Sequence, residues 1–180
     1  MTRREVVNYG VTALAAMAAL AVVLVAVENR YLGRLLRQHR PLAPGERAPR
    51  LEAEDVDGRK RSLGRCAAVV LFFNTSSPAC AESAGQWQAY AERLSEVVVV
   101  GVSAESRAET VGFAAEHGLR FPVIADPEQR IVRAWGVSYV PEVVLVDGDG
   151  VVRFVQRYGQ STVEALGEVE ALVGAMVESR

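Results

Sequence analysis

Residues 67–82 read AAVVLFFNTSSPACAE. The first seven form an unbroken apolar run rich in β-branched and aromatic side chains, which predicts a strand buried on both faces. Asn74 to Ser77 then break the run with turn formers. Pro78 suits the first position of a helix, with Ser77 as its N-cap. A strand covered on both sides requires layers above and below it, so the stretch points to an α/β fold.

The chain on either side repeats the alternation. Leu51 to Lys60 predicts a small hairpin turned at Asp57-Gly58, and a helix should run from Pro78 to Leu94. Val97 to Val102 (VVVVGV) reads as a second buried strand, with Ser103 capping a helix that ends at Gly118. Phe121 to Ala125 is a short strand. After it, Asp126 suits an N-cap, Pro127 the first helical position and Gln129 the reciprocal cap, with Ile131, Val132 and Trp135 facing inward. Val143 to Val146 and Val151 to Val155 form a hairpin around Asp147-Gly148-Asp149-Gly150. The last helix opens at Ser161, with Glu164 in capping-box register, and buries Leu166, Val169, Leu172, Val173 and Met176. The expected architecture is three layers, α/β/α, around a mixed central sheet.

The N-terminal stretch is different in kind. Val6 to Val27 is 22 residues without a charge, about 33 Å of helix and enough to cross a hydrocarbon layer. A cleaved signal peptide fits badly, because six apolar residues follow the cleavage-like Ala19-Leu20-Ala21. A buried core helix would keep a polar stripe, and none is present. The stretch reads as an uncleaved single-pass anchor in the lipid bilayer of a bacterial cell membrane. The organisation is then residues 1–40 as anchor and juxtamembrane extension, 41–49 as linker, and 50–180 as the folded domain. Arg30, Arg34, Arg37 and Arg40 outnumber Arg3 and Arg4 and would hold the second side cytoplasmic.

Composition removes several functions. A formal charge of −2 over 180 residues offers no field for nucleic acid. No glycine-rich phosphate loop follows a strand, and no histidine–cysteine set has zinc-ligand spacing. Asp147 to Gly150 resembles part of a calcium loop without its length or closing glutamate, so a turn is the better reading. No cofactor is expected.

Cys80 is the residue with chemical promise. In the first turn of a helix, its thiolate faces backbone amides without internal partners and the positive end of the helix dipole, which favours a depressed pKa. The same residue also lies on one helical face with Ala84, Trp87, Ala91 and Leu94, where a free cysteine is simply a small hydrophobe. Cys66 precedes the strand and Cys80 follows it, about 23 Å away by strand rise, far beyond disulfide reach. Cys66 is therefore expected to be packing. Neither His39 nor His117 is placed to activate a hydroxyl at this turn.

FFNTSSPACAES resembles the active-site segment of membrane-tethered TlpA-like thiol–disulfide oxidoreductases, within the AhpC/TSA-redoxin superfamily, and of the related accessory protein for methylamine dehydrogenase maturation. Three further segments match in order: APRLEAEDVDGRKRSL, GLRFPVIADPEQRIVRAWGV and SYVPEVVLVDGDGVVRF. Together they cover roughly residues 45 to 175. The resemblance implies a thioredoxin fold, an extracytoplasmic domain (against the arginine distribution), and protein thiols or disulfides, or an external reductant thiol, as partners. It also implies that Val140-Pro141 is the cis-proline loop that helps hold a substrate peptide. Cys80 matches the second, resolving cysteine of the family's Cys-x-x-Cys. Ser77 stands where the attacking cysteine belongs, and a hydroxyl cannot make that attack without a base. Ser77, Cys80 and Pro141 are thus the candidate site residues, with Ser77 expected to cap the helix and hydrogen-bond the thiolate.

Peroxiredoxins share this fold and carry Thr or Ser three residues before a single peroxidatic cysteine, as Ser77 precedes Cys80. Their proline four residues earlier is Phe73 here, and the Pro141 loop holds no arginine. The resemblances leave three functions in order: single-cysteine thiol–disulfide exchange, a catalytically silent module that binds a polypeptide, and a one-cysteine peroxidase.

Overall fold

The computed structural model describes residues 17–28, 30, 40–64, 66–94 and 96–178. It divides into two units, Met1–Arg40 and Pro41–Arg180. In the first, residues 17–28 are helical. Most of the rest of the expected anchor and its extension, 6–16 and 31–39, lies outside the described residues, as does His39. Among the described residues no helix is long and apolar enough to cross a membrane.

The second unit is built on a five-stranded sheet. Its strands are β3 (Ala68–Phe73), β4 (Val98–Ser103), β5 (Val123–Ala125), β6 (Glu142–Val146) and β7 (Val152–Val155), in the order β5-β4-β3-β6-β7. The first three run parallel, β6 is antiparallel to β3, and β7 returns antiparallel to β6. A separate hairpin, β1 (Glu52–Glu54) with β2 (Lys60–Ser62), precedes the sheet. The helices are α1 (Pro78–Arg93), α2 (Arg107–Glu116), α3 (Arg130–Ala134) and α4 (Thr162–Glu178).

All six residues of β3 are buried because the strand sits at the centre of the sheet. Alternation along it sends Val69, Leu71 and Phe73 to one face, where they meet Trp87 of α1, Phe113 of α2 and Val169 of α4. Val70 and Phe72 point the other way, to Leu51, Ile124 and Trp135. The mixed sheet between two covered faces matches the sequence expectation. The Phe73 ring stacks on Phe113 at 5.1 Å and tilts against Trp87 at 5.6 Å, so one residue ties two helices to the strand end.

Local signals misplaced two of the caps. Ser103 does not cap α2: it ends β4, and Ser106 forms the capping box with Glu109. Asp126 does not begin a helix at Pro127. Residues 127–129 form a turn, Gln129 adopts a left-handed conformation (φ 53°), and α3 starts at Arg130. The Asp126 carboxylate still caps α3 from that offset, accepting from the amides of Arg130, Ile131 and Val132 at 2.8–2.9 Å. On α4 the Ser161–Glu164 box is present, but Leu172 is exposed.

Residues 41–49, read from the sequence as a linker, are tied to the domain edge. Gly45 N–H donates to Val152 O, Ala48 N–H to Gly150 O, and Val152 N–H to Glu46 O.

Both hairpins turn on one device that the sequence reading overlooked, Asp-x-Asp-Gly-x-x-Arg. Asp55 Oδ1 accepts the amides of Asp57 and Arg59 while Oδ2 takes Arg61 Nε at 2.6 Å. Asp147 repeats this with Asp149, Val151 and Arg153 Nε, again at 2.6 Å. Gly58 and Gly150 supply the positive φ that each turn needs. The arginine occupying Asp147 agrees with a turn rather than a cation loop.

Candidate active site at the end of the central strand

β3 ends at Phe73, and the chain reverses through Asn74 to Ser77 before α1. Asn74 Oδ1 accepts the Ser76 amide at 2.8 Å and its hydroxyl at 2.6 Å, while Asn74 O accepts from Ser77 N–H. Ser77 has extended backbone angles (φ −83°, ψ 119°), and its carbonyl accepts the Cys80 and Ala81 amides, which opens the helix. Ser77 is the N-cap residue by position, yet its side chain makes no cap hydrogen bond. The Ser77 side chain and the Asn74 backbone act instead on the Cys80 sulfur, where both favour the charged form.

Cys80 lies 0 % exposed in the apolar cluster with Leu71, Ala84 and Trp87. The expected depression of its pKa is overturned. Burial is the largest influence and pushes the thiol up, the charge of Glu105 pushes the same way, and the Asn74 and Ser77 hydrogen bonds only partly oppose them. Desolvation wins here because Cys80 is fully buried in that cluster, whereas the benefit of a helix N-terminus depends on an anion the amides and water can reach. Glu105 was not singled out in the sequence. Its carboxylate takes the Thr75 amide at 3.2 Å and the Ser103 hydroxyl at 2.8 Å, pinning the turn to the end of β4. The Phe73–Ser103 register is what brings it there.

The helical face read from the sequence is present: Cys80, Ala84 and Trp87 are buried, and Ala91 and Leu94 pack against the same cluster. Cys66 is not packing, since its side chain is exposed. Both cysteines are free. His117 caps the far end of α2 against Phe113, 4.3 Å between rings, and takes no part at the turn.

The Val140–Pro141 peptide is cis, as the resemblance implies. Phe72 pairs with Glu142, so Pro141 falls one step beyond, at the same end of the sheet as the Asn74–Cys80 turn. The residue after it was also missed: Glu142 is 3 % exposed, and burial pushes its carboxyl up to about 7. Burial and the neighbouring Glu142 charge push the Tyr139 phenol up to about 12. Among the described residues no group of three or more His, Cys, Asp or Glu side chains is arranged to hold a metal.

This arrangement places one buried sulfur and the cis Val140–Pro141 peptide at the same end of the sheet. It cannot form an internal disulfide at the turn, because position 77 is a hydroxyl.

Comparisons place the chain among proteins of this design. It is 29% identical over 121 residues to a candidate peroxiredoxin of Mycobacterium tuberculosis, covering 62% of this chain and 75% of that one. It is 28% identical over 129 residues to the thiol-disulfide oxidoreductase ResA of Bacillus anthracis, covering 68% and 73%. Among solved structures, the Mycobacterium tuberculosis protein DsbF, in mixed oxidized and reduced forms, superposes with a TM-score of 0.61 at 25% identity, over 69% of this chain and 93% of that one. The fold is thioredoxin-like. The AhpC/TSA family model matches residues 44–155, and the chain belongs to that family.

Proposed function

We propose that this protein is a thiol–disulfide oxidoreductase that works through Cys80 alone, with a second thiol supplied from outside the chain. The observation that carries this reading is the place of Cys80 in the first turn of α1 directly after β3, at the same end of the sheet as the cis Val140–Pro141 peptide. The Ser77 side chain and the Asn74 backbone favour a thiolate there once the turn opens enough to admit a partner. Relatives named as thiol-disulfide oxidoreductases support the reaction class.

The thiolate of Cys80 attacks a substrate disulfide, forms a mixed disulfide and releases the substrate's other sulfur as thiolate. An external thiol, as its thiolate, then attacks the mixed disulfide at the substrate's sulfur, releasing Cys80 and leaving a disulfide between substrate and donor. Every bond formed is sulfur–sulfur and every leaving group is a thiolate, so the electrons balance. Pro141 shapes the groove that receives the substrate chain, and residues 6–27 tether the domain to a bilayer.

Burial of Cys80 favours a second reading, a silent module that binds a polypeptide at the Pro141 loop. Thiol alkylation separates the two. Exchange through Cys80 requires it to react in the folded full chain more slowly than exposed Cys66 but measurably, and to trap mixed disulfides in cells that disappear in Cys80→Ala. Identical non-reducing patterns for both proteins defeat the redox reading. The peroxidase reading requires a sulfenic adduct at Cys80 after hydrogen peroxide, and its absence removes that function.

A further inference from the structure

On the far face of the sheet from Cys80, a cleft of about 470 Å³ is walled by Pro41, Leu42, Val155, Tyr139 and Tyr158, with Glu142 among its lining residues. Strand alternation puts Glu142 on the side of Val144 and Val146, so this is a place apart from the Cys80 turn.

Three features of the cleft converge. Glu142 is 3 % exposed, and among the described residues no hydrogen bond or ion pair reaches its carboxylate, an arrangement that natural interiors seldom tolerate without a partner. Arg157, the cation beside it in the wall, is turned away and held by Glu168 at 2.8 Å. Tyr158 is 86 % exposed, and its ring meets Tyr139 edge to face at 5.5 Å. The Tyr139 hydroxyl is fixed by the Gln156 carbonyl, and Gln156 is itself locked by Val143 N–H at 3.1 Å and Gln160 O at 2.8 Å. The cleft therefore offers apolar walls, an aromatic edge held in place, and one carboxylate awaiting a cation.

We infer that this cleft binds the side chain of an arginine carried by a partner polypeptide, its guanidinium paired with Glu142 and stacked on Tyr158. The choice of arginine follows from the surroundings. A planar guanidinium sheds water more readily than an ammonium, presents two parallel N–H groups to one carboxylate and stacks on tyrosine. Its aliphatic stem suits walls made of proline, leucine and valine. The inference deepens the proposed function, since Ser138, Tyr139 and Glu142 of the cleft flank Pro141 and a polypeptide laid on that loop carries the arginine.

The test uses the isotopically labelled full chain in detergent, on a Cys80→Ala background, titrated with N-acetyl-arginine amide and followed by amide shifts of Tyr139, Glu142 and Tyr158. Because no thiol is present at the turn, failure here and failure of thiol trapping are separate results. The arginine probe should shift these amides, and N-acetyl-citrulline amide, equal in shape but uncharged, should not. Glu142→Gln should weaken arginine binding about tenfold to a hundredfold, as loss of a charged hydrogen-bond partner does. Tyr158→Ala, an exposed position, should weaken it about threefold, and it decides the matter if Glu142→Gln does not fold. Equal shifts by arginine and citrulline, equal affinity for N-acetyl-lysine amide, or full binding by both variants overturns the assignment.

Discussion

Replacing Glu142 by Gln tests the buried carboxylate without the ligand. The acid has an ordinary value of 4.5 and is pushed up to about 7 in the folded chain by burial. A folded state that holds the proton more tightly than the unfolded state is stabilised at low pH. That advantage is fully present below about 4.5, declines as pH rises toward 7, and is gone above it. Every tenfold difference in proton affinity between the folded and unfolded chain is worth about 1.4 kcal/mol. With an allowance for water entering at the cleft wall, the native protein should lose about 2 to 3 kcal/mol of stability across this window. Glutamine does not titrate. Asp55 and Asp147 titrate below the window and are common to both proteins, so they cancel in the difference. Urea unfolding of the full chain in mild detergent, followed through the buried Trp87 and Trp135, should show the variant gaining on the native protein by that amount between pH 4.5 and 7.5. A constant difference, or one that shrinks as pH rises, refutes the argument that desolvation controls Glu142.

Other perturbations probe the scaffold. A Cβ at Gly101 would meet Phe73 Cε1 and Phe121 Cε2 at 3.2 Å, so Gly101→Ala should cost about 1 to 3 kcal/mol in denaturant midpoint. Phe73→Ala removes the side chain that joins Trp87 and Phe113 and should cost about 3 to 5 kcal/mol in urea melts. Ser106→Ala should lose about 1 kcal/mol in urea melts by removing the α2 cap, and an unchanged midpoint would contradict the assignment. Although burial raises the Asp55 carboxyl, the amides of Arg59 and Asp57 and the Arg61 side chain bring it below 3.8 on balance. Its contribution is present above 3.8 and lost as pH falls through the lowered folded value. An Asp55→Asn variant should therefore be less stable than the native protein at neutral pH, with a gap that narrows in acid melts.

The strands, the major helices, the cap at Ser161 and the Asp57-Gly58 turn were legible in the sequence because each rests on residues a few positions apart. Periodicity, a serine three residues before a glutamate, and a glycine in a turn all act over that range. The caps that went astray, Ser103 for Ser106 and Pro127 for Arg130, did so where two candidates lay within a few residues and the strand end chose between them. The repeated Asp-x-Asp-Gly-x-x-Arg was visible in the letters and simply not read as one motif.

What only the tertiary structure decided is the environment of each candidate group. Cys80 stands where the sequence put it, yet its burial in the apolar cluster, with Glu105 brought in by the β3–β4 register, reverses the direction of its pKa. Cys66 proved exposed where packing was expected, and Glu142, not singled out in the sequence, proved buried. The sequence by itself determined the elements and the placement of one sulfur after a buried strand, because those follow from local backbone chemistry. Burial and charge at the sheet end depend on segments 30 to 70 residues apart meeting in register, such as Thr75 with Glu105 and Phe72 with Glu142, and desolvation is a property of that meeting rather than of any one segment.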